Sequence, residues 1–242
     1  MDQVQAFQIA WFTVEPPTAA LDAYRKIFGA DPDGYQTHRG FGGPVPYLST
    51  ANGRFNDLTV QVGVQPGRIE LLFQPDDPTP GPDEAWPILD RKKVFAAASS
   101  IAAKAEFSGV VRQAVIANLW QPEETLESAS AHALKLSGLQ LNYDDALDVM
   151  FQINRRLKSV NGDALLNRLL RVGVGHMQQM MIPTAPSGAP ITVSRFGVSI
   201  VVDVNNVPTS EPYATDEQRR LLLELLAEAD RLAIAGHVDA LK

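Results

Sequence analysis

Residues 191–203, ITVSRFGVSIVVD, restrict the fold more than any other stretch. Phe196, Val198, Ile200 and Val202 fall on one set of alternate positions, and Arg195, Gly197, Ser199, Val201 and Asp203 on the other. Period two with one dry side predicts a half-buried strand. That dry side needs a cover, and residues 215–235 supply a candidate. Thr215-Asp-Glu-Gln218 reads as a capping box, the threonine taking an orphaned amide and Gln218 reaching back to the cap. Beyond it Leu222, Leu225, Leu226, Ala229, Leu232 and Ala233 recur at helical spacing. A helix laid on one face of an antiparallel sheet satisfies both segments.

The rest of the chain repeats the theme. Residues 5–14 read as a central strand, because both sets of alternate positions are largely apolar. A helix follows, with Thr18 as its cap, Leu21, Tyr24, Arg25 and Phe28 along one side, and Gly29 as its stop. Residues 31–56 are the least regular segment, with at most a short strand at 47–49. Val60, Val62 and Val64 alternate with polar residues, and Pro66-Gly67 supplies turn chemistry, so 57–75 form a hairpin. The pattern then predicts a helix over 84–105, a strand over 109–120, and a helix opened by Pro122-Glu-Glu and stopped by Gly138. Strands follow at 147–154 and 168–182, the second with a possible helical turn at 165–170.

This order predicts an α+β fold, a predominantly antiparallel sheet covered by helices. Strand-helix-hairpin-helix in the first half and a similar order in the second suggest two α+β lobes, 1–108 and 109–242, which could equally form one continuous domain. No residue-level repeat links the halves.

The chain of 242 residues carries 28 acids against 21 bases, a formal charge of -7. The split is even: 9 bases and 13 acids precede Gly109, and 12 and 15 follow. Neither half is a basic module, so bulk nucleic-acid binding by phosphate neutralisation is not expected. There is no cysteine, which excludes disulfides, thiol catalysis and cysteine-ligated metal. The first residues lack the basic region of a signal peptide, and no apolar run reaches membrane-spanning length. A cytoplasmic protein without membrane attachment is the expectation.

Catalytic signatures are absent. The four histidines show no metal-binding spacing, the serines no nucleophile elbow, and no cofactor or metal is expected. Asp76-Asp77 and Asp144-Asp145 are adjacent pairs whose side chains diverge in extended chain, so they read as turn or cap residues. His38 and Arg39, in a glycine-rich stretch, are candidates for holding an anion, against the plainer reading of a surface loop. His176 could meet Asp203 or Asp148 across the sheet and bind metal, if register allows. A solvent-facing histidine is the plainer alternative there. Arg155-Arg156 with Lys158, and Arg91-Lys92-Lys93, are small basic clusters.

A more distributed feature is the placing of amides on the less apolar strand positions: Gln8, Gln61, Gln65, Gln113, Gln152, Asn154 and Gln178, with Arg156, Arg195 and Ser199 near them. If helices cover one face, this set forms the other, suited to a protein partner or to self-association. The leading expectation is therefore a non-catalytic interaction, assembly or regulatory protein. The alternative is a hydrolase or small-ligand enzyme with a cleft between the lobes, gated by residues 31–56.

Overall fold

The computed structural model describes residues 2–15, 18–37, 48–75, 88–139, 146–181 and 191–242. Ten strands and four α-helices occur among them. In chain order they are β1 (Gln3–Thr13), α1 (Ala20–Phe28), β2 (Gly34–Thr37), β3 (Ser49–Phe55), β4 (Leu58–Gln65), β5 (Arg68–Gln74), β6 (Leu89–Asp90) and α2 (Arg91–Ala102). They continue with β7 (Val110–Glu123), α3 (Leu126–Ser137), β8 (Met150–Lys158), β9 (Leu165–Met181), β10 (Ile191–Asn206) and α4 (Thr215–Ala235). A short 3-10 turn, Val238–Leu241, follows.

One sheet holds every strand. Its order is β2-β3-β4-β5-β1-β7-β10-β9-β8, with the two-residue β6 beside β1, and every pairing is antiparallel. The first strand of the chain is thus a middle strand, bonded to β5 on one side and β7 on the other. Its two-sided apolar character follows from that position. Phe7, Ile9 and Trp11 are fully buried, while Gln8 and Phe12 on the other side are half-buried.

The register fixes which side chains share a face. Val60, Val62 and Val64 pair with Phe73, Leu71 and Ile69, which pair with Phe7, Ile9 and Trp11. The same face continues through Val115 and Ala117 to Val204 and Val202, then to Leu170 and Val172. Helices lie over this face. The Phe95 ring of α2 meets Phe7 edge-on, 4.8 Å between centroids. Tyr24 of α1 covers Gly53, where any side chain would overlap its ring. Leu222, Leu225, Leu226, Ala229, Leu232 and Ala233 of α4 are all buried, the apolar stripe expected from spacing. Burying each such leucine contributes about 1.5–3 kcal/mol.

Several local expectations are corrected. Residues 34–37 and 49–55 are strands, and β3 enters β4 through Asn56 and Asp57, both at positive φ (49° and 61°). That two-residue turn matches strand twist and is favoured by Asn and Asp, so much of the supposedly irregular segment is sheet. The buried side of α1 is Ala20, Ala23, Tyr24 and Ile27, one residue out of phase with expectation, and Ala19 rather than Thr18 is its N-cap. Helix α2 starts at Arg91, where Asp90 accepts from the Lys93 amide at 2.9 Å. Strand β7 runs through Pro122, so α3 begins later, with Thr125 and Ser128 capping each other. Residues 165–170 are strand, without a helical turn.

Helix α4 also differs at its start. Ala214 is the N-cap, and the Glu217 carboxylate accepts from its amide at 3.1 Å. Gln218 is buried and turned inward: its Nε2 donates to the Phe107 and Tyr213 carbonyls at 2.9 and 3.0 Å. It ties the segment before β7 to the helix rather than closing a cap.

Candidate functional site

All four helices pack on one face of the sheet; the opposite face carries no helix among the described residues. The register defines this second face completely. One row crosses eight strands: Asn52, Gln61, Leu72, Gln8, Ile116, Asp203, Leu169 and Asn154. Amides and aliphatic side chains therefore mix along a single line, most of them half-buried or exposed. The adjacent row is Thr50, Gly63, Glu70, Ala10, Ala114, Asn205, Asn167 and Arg156. Within it Asn167 Nδ2 donates to Asn205 Oδ1 at 3.0 Å, and Asn205 Nδ2 donates to Asp203 at 2.8 Å. Arg156 Nε donates to Asn167 at 3.2 Å. These amides hold one another across three strands.

Two aromatic residues punctuate the face. Trp120 of β7 is only 4% exposed. Its indole lies over Gly175 of β9 and Gly197 of β10, two positions that admit it because they lack a Cβ. Phe12 of β1 lies between Arg68 of β5 and Arg112 of β7 in register. The two guanidinium carbons stand 5.0 and 4.8 Å from its ring centroid, a cation–π pair on one ring.

Of the residues singled out in the sequence, Gln152, Asn154, Arg156, Arg195 and Asp203 belong to this helix-free face by register. His176 and Gln178 belong to the other: they alternate with Val172 and Val174, and His176 stacks on Phe196 at 4.6 Å between centroids. His176 and Asp203 thus stand on opposite faces, with Asp203 paired to Leu169, seven residues along β9. The structure does not bring them together. His38 and Arg39 lie outside the described residues, as do Asp76-Asp77 and Asp144-Asp145. Gln113 faces the helices, is fully buried, and accepts from Trp11 Nε1 at 3.2 Å. Arg91 is likewise no surface cation: it is buried and paired with Asp230 and Asp2.

His132 and Glu123 form a pair missed in the sequence, Nδ1 to Oε1 at 2.7 Å, on the helix side of the sheet. Nothing in the spacing of nine residues across a strand-to-helix junction announces it. The Arg68–Phe12–Arg112 arrangement was equally hidden, because three separate strands supply it. Among the described residues no three histidine, aspartate or glutamate side chains gather as a metal site.

Concavities occur on the helix side and at the rim. A groove of about 430 Å³ separates α2 and α4, lined by Phe95, Ala96, Leu223 and Leu226. A second, of about 300 Å³, lies at the end of β1 beside Thr13, Lys26 and Phe107. The first also takes in Arg91 and Lys92 of the basic cluster, with Asp230 opposite; neither gathers the amide, histidine or Asp203 candidates. Burial pushes the Tyr213 hydroxyl above the ordinary tyrosine range, partly opposed by its bonds to Thr209 and Asn206, but it lies at the base of α4. No helix among the described residues is long and apolar enough to cross a membrane. Comparison with known protein families, characterised proteins and solved structures finds no match.

Proposed function

We propose that this chain works through protein contacts made by its helix-free sheet face, as a non-catalytic assembly or regulatory component that pairs with a second copy of itself. The supporting observation is the eight-strand row in which Leu72, Ile116 and Leu169 alternate with the polar Gln8, Asp203 and Asn154. Aliphatic groups spaced across a rigid sheet give area to bury, and the polar groups between them give directional bonds and register. Strand order adds to the reading. In segment 1–108 the first strand pairs with the last of four meandering strands, in 109–242 with the last of three, and the two first strands pair with each other. We read these as two lobes that each contribute half of the face. Two copies laid face to face would bury the same patch on both partners, as two-fold association requires.

The test is mass in solution. Sedimentation equilibrium over a wide concentration range should give a dimer, and Ile116→Glu should give a monomer of unchanged circular dichroism. A wild-type chain that stays monomeric throughout removes the self-association reading. A dimer indifferent to Ile116→Glu and Leu169→Glu removes this face from it.

A further inference from the structure

The two arginines that flank Phe12 occupy equivalent positions on either side of it but have different surroundings. On β5, Arg68 is followed two residues later by Glu70, on the same face. Glu70 is buried, and its Oε1 lies 2.5 Å from Arg68 Nε and accepts from Gln65 Nε2 at 3.3 Å. On β7, Arg112 is followed two residues later by Ala114, also buried, with Ala10 of β1 on one side and Asn205 of β10 on the other. The carboxylate that completes the first half has no counterpart in the second.

Arg112 is accordingly left with a cation and no anion. No ion pair or side-chain hydrogen bond to another described residue accompanies its contact with Phe12; its Nε is buried without a hydrogen-bond partner, as is that of Arg68, but Arg68 has the Glu70 charge beside it. A guanidinium resting on an aromatic face keeps its N–H edges directed outward, in the fork that a carboxylate matches. Half-burial lowers the screening of the charge, and the orphaned Nε is a donor whose desolvation has no compensation until an acceptor arrives.

We infer that Arg112, stacked on Phe12 beside Ala114, is a carboxylate-binding site on the helix-free face. This rests on the reading of that face as a contact surface and names the group that a docking protein brings to it: an aspartate, glutamate or C-terminal carboxylate. Arg68 does not serve as a second such site, because Glu70 already occupies it.

The site can be tested with acetate alone, without any protein partner. In full-length protein labelled with nitrogen-15, the Arg112 Nε–Hε resonance, identified by its loss in Arg112→Lys, is followed while acetate replaces chloride at constant ionic strength. The expected result is a saturable shift of that resonance, and no comparable shift at Arg68. Ala114→Glu should place a carboxylate in the site from within the chain, moving the resonance toward its acetate-bound position and weakening acetate binding about tenfold. A resonance that responds equally to chloride and acetate overturns the inference. Tighter binding of phosphate than acetate overturns the carboxylate assignment. Run in the Leu169→Glu chain, where this face is uncovered whether or not the wild type pairs through it, the titration makes a failed dimer test and a failed acetate titration separate results.

Discussion

Trp120 sets a steric condition on its two neighbours that a mutant cycle should expose. A methyl added at Gly175 would stand 2.9 Å from Trp120 Cη2 and closer still to Cζ3, with the indole as its nearest obstacle. A methyl at Gly197 would stand 2.7 Å from Trp120 Cε2, and closer still to the Gln121 carbonyl oxygen, which belongs to the paired backbone. Overpacking of this kind costs about 1–3 kcal/mol. In a chain of this size that lowers the melting temperature by roughly 3–10 °C. Trp120→Ala by itself should cost about 3–5 kcal/mol through the lost ring. The two glycines then separate. In the Trp120→Ala background Gly175→Ala should be neutral or stabilising by about 0.5 kcal/mol, since its obstacle is gone and alanine loses less entropy than glycine. Gly197→Ala should keep most of its cost, because the carbonyl remains. Urea titrations of the four glycine-to-alanine combinations with and without Trp120 measure this directly. An unchanged cost of Gly175→Ala without the indole would show that the ring is not what excludes the methyl.

Three further outcomes follow from named contacts. Glu228→Gln removes the counter-charge from Arg168, which is 5% exposed, and should cost about 3 kcal/mol in urea denaturation at neutral pH. Burial pushes the Glu228 carboxyl up, but the hydrogen bonds and charges of Arg231 and Arg168 outweigh it and hold the group below its ordinary value. A depressed folded value gives stability that is complete above the ordinary range and lost as pH falls through the folded value, so the wild-type and Glu228→Gln stabilities should converge in acid; a constant gap would refute the linkage. Asp57→Gly should stabilise by about 0.5 kcal/mol, because Asp57 holds φ at 61° in the β3–β4 turn, and a lower thermal midpoint would contradict it. Glu224 accepts from Ser159 Oγ, the Val160 amide and Asn161 Nδ2 at 2.6, 2.8 and 3.0 Å. Glu224→Ala should therefore speed hydrogen exchange at the Val160 amide by about tenfold, while amides of β1 stay protected.

Strands such as β4 and β10, and the α4 stripe, were legible because each carries its own periodicity. Val198, Ile200 and Val202 show their common face without reference to any partner, and so do Leu222, Leu225 and Leu226. Boundaries were less legible where two signals compete. Pro122 with two glutamates resembles a helix opening, yet the pairing of Pro122 with Gly197 keeps it in β7. Gln218 fits a capping box in sequence, and only the proximity of Phe107, 111 residues away, turns it into a buried clamp. The functional candidates depended most on register. Asp203 and His176 can be placed on strands from the sequence, but the side each faces relative to the other follows from pairings such as Phe196 with His176. The Asn56-Asp57 turn was readable in principle, since those residue types favour positive φ, but no strong alternation flanks it on the β3 side.

The central position of β1 has a consequence for the order in which the chain becomes protected. As synthesis proceeds from the N-terminus, β1 acquires its β5 neighbour as soon as residue 74 is available, but its other edge waits for β7, which starts at Val110. Until then an apolar strand presents unpaired amides and carbonyls to whatever chain is near. A nascent or truncated product ending before residue 110 should be the species most inclined to aggregate, and arrival of β7 closes that edge.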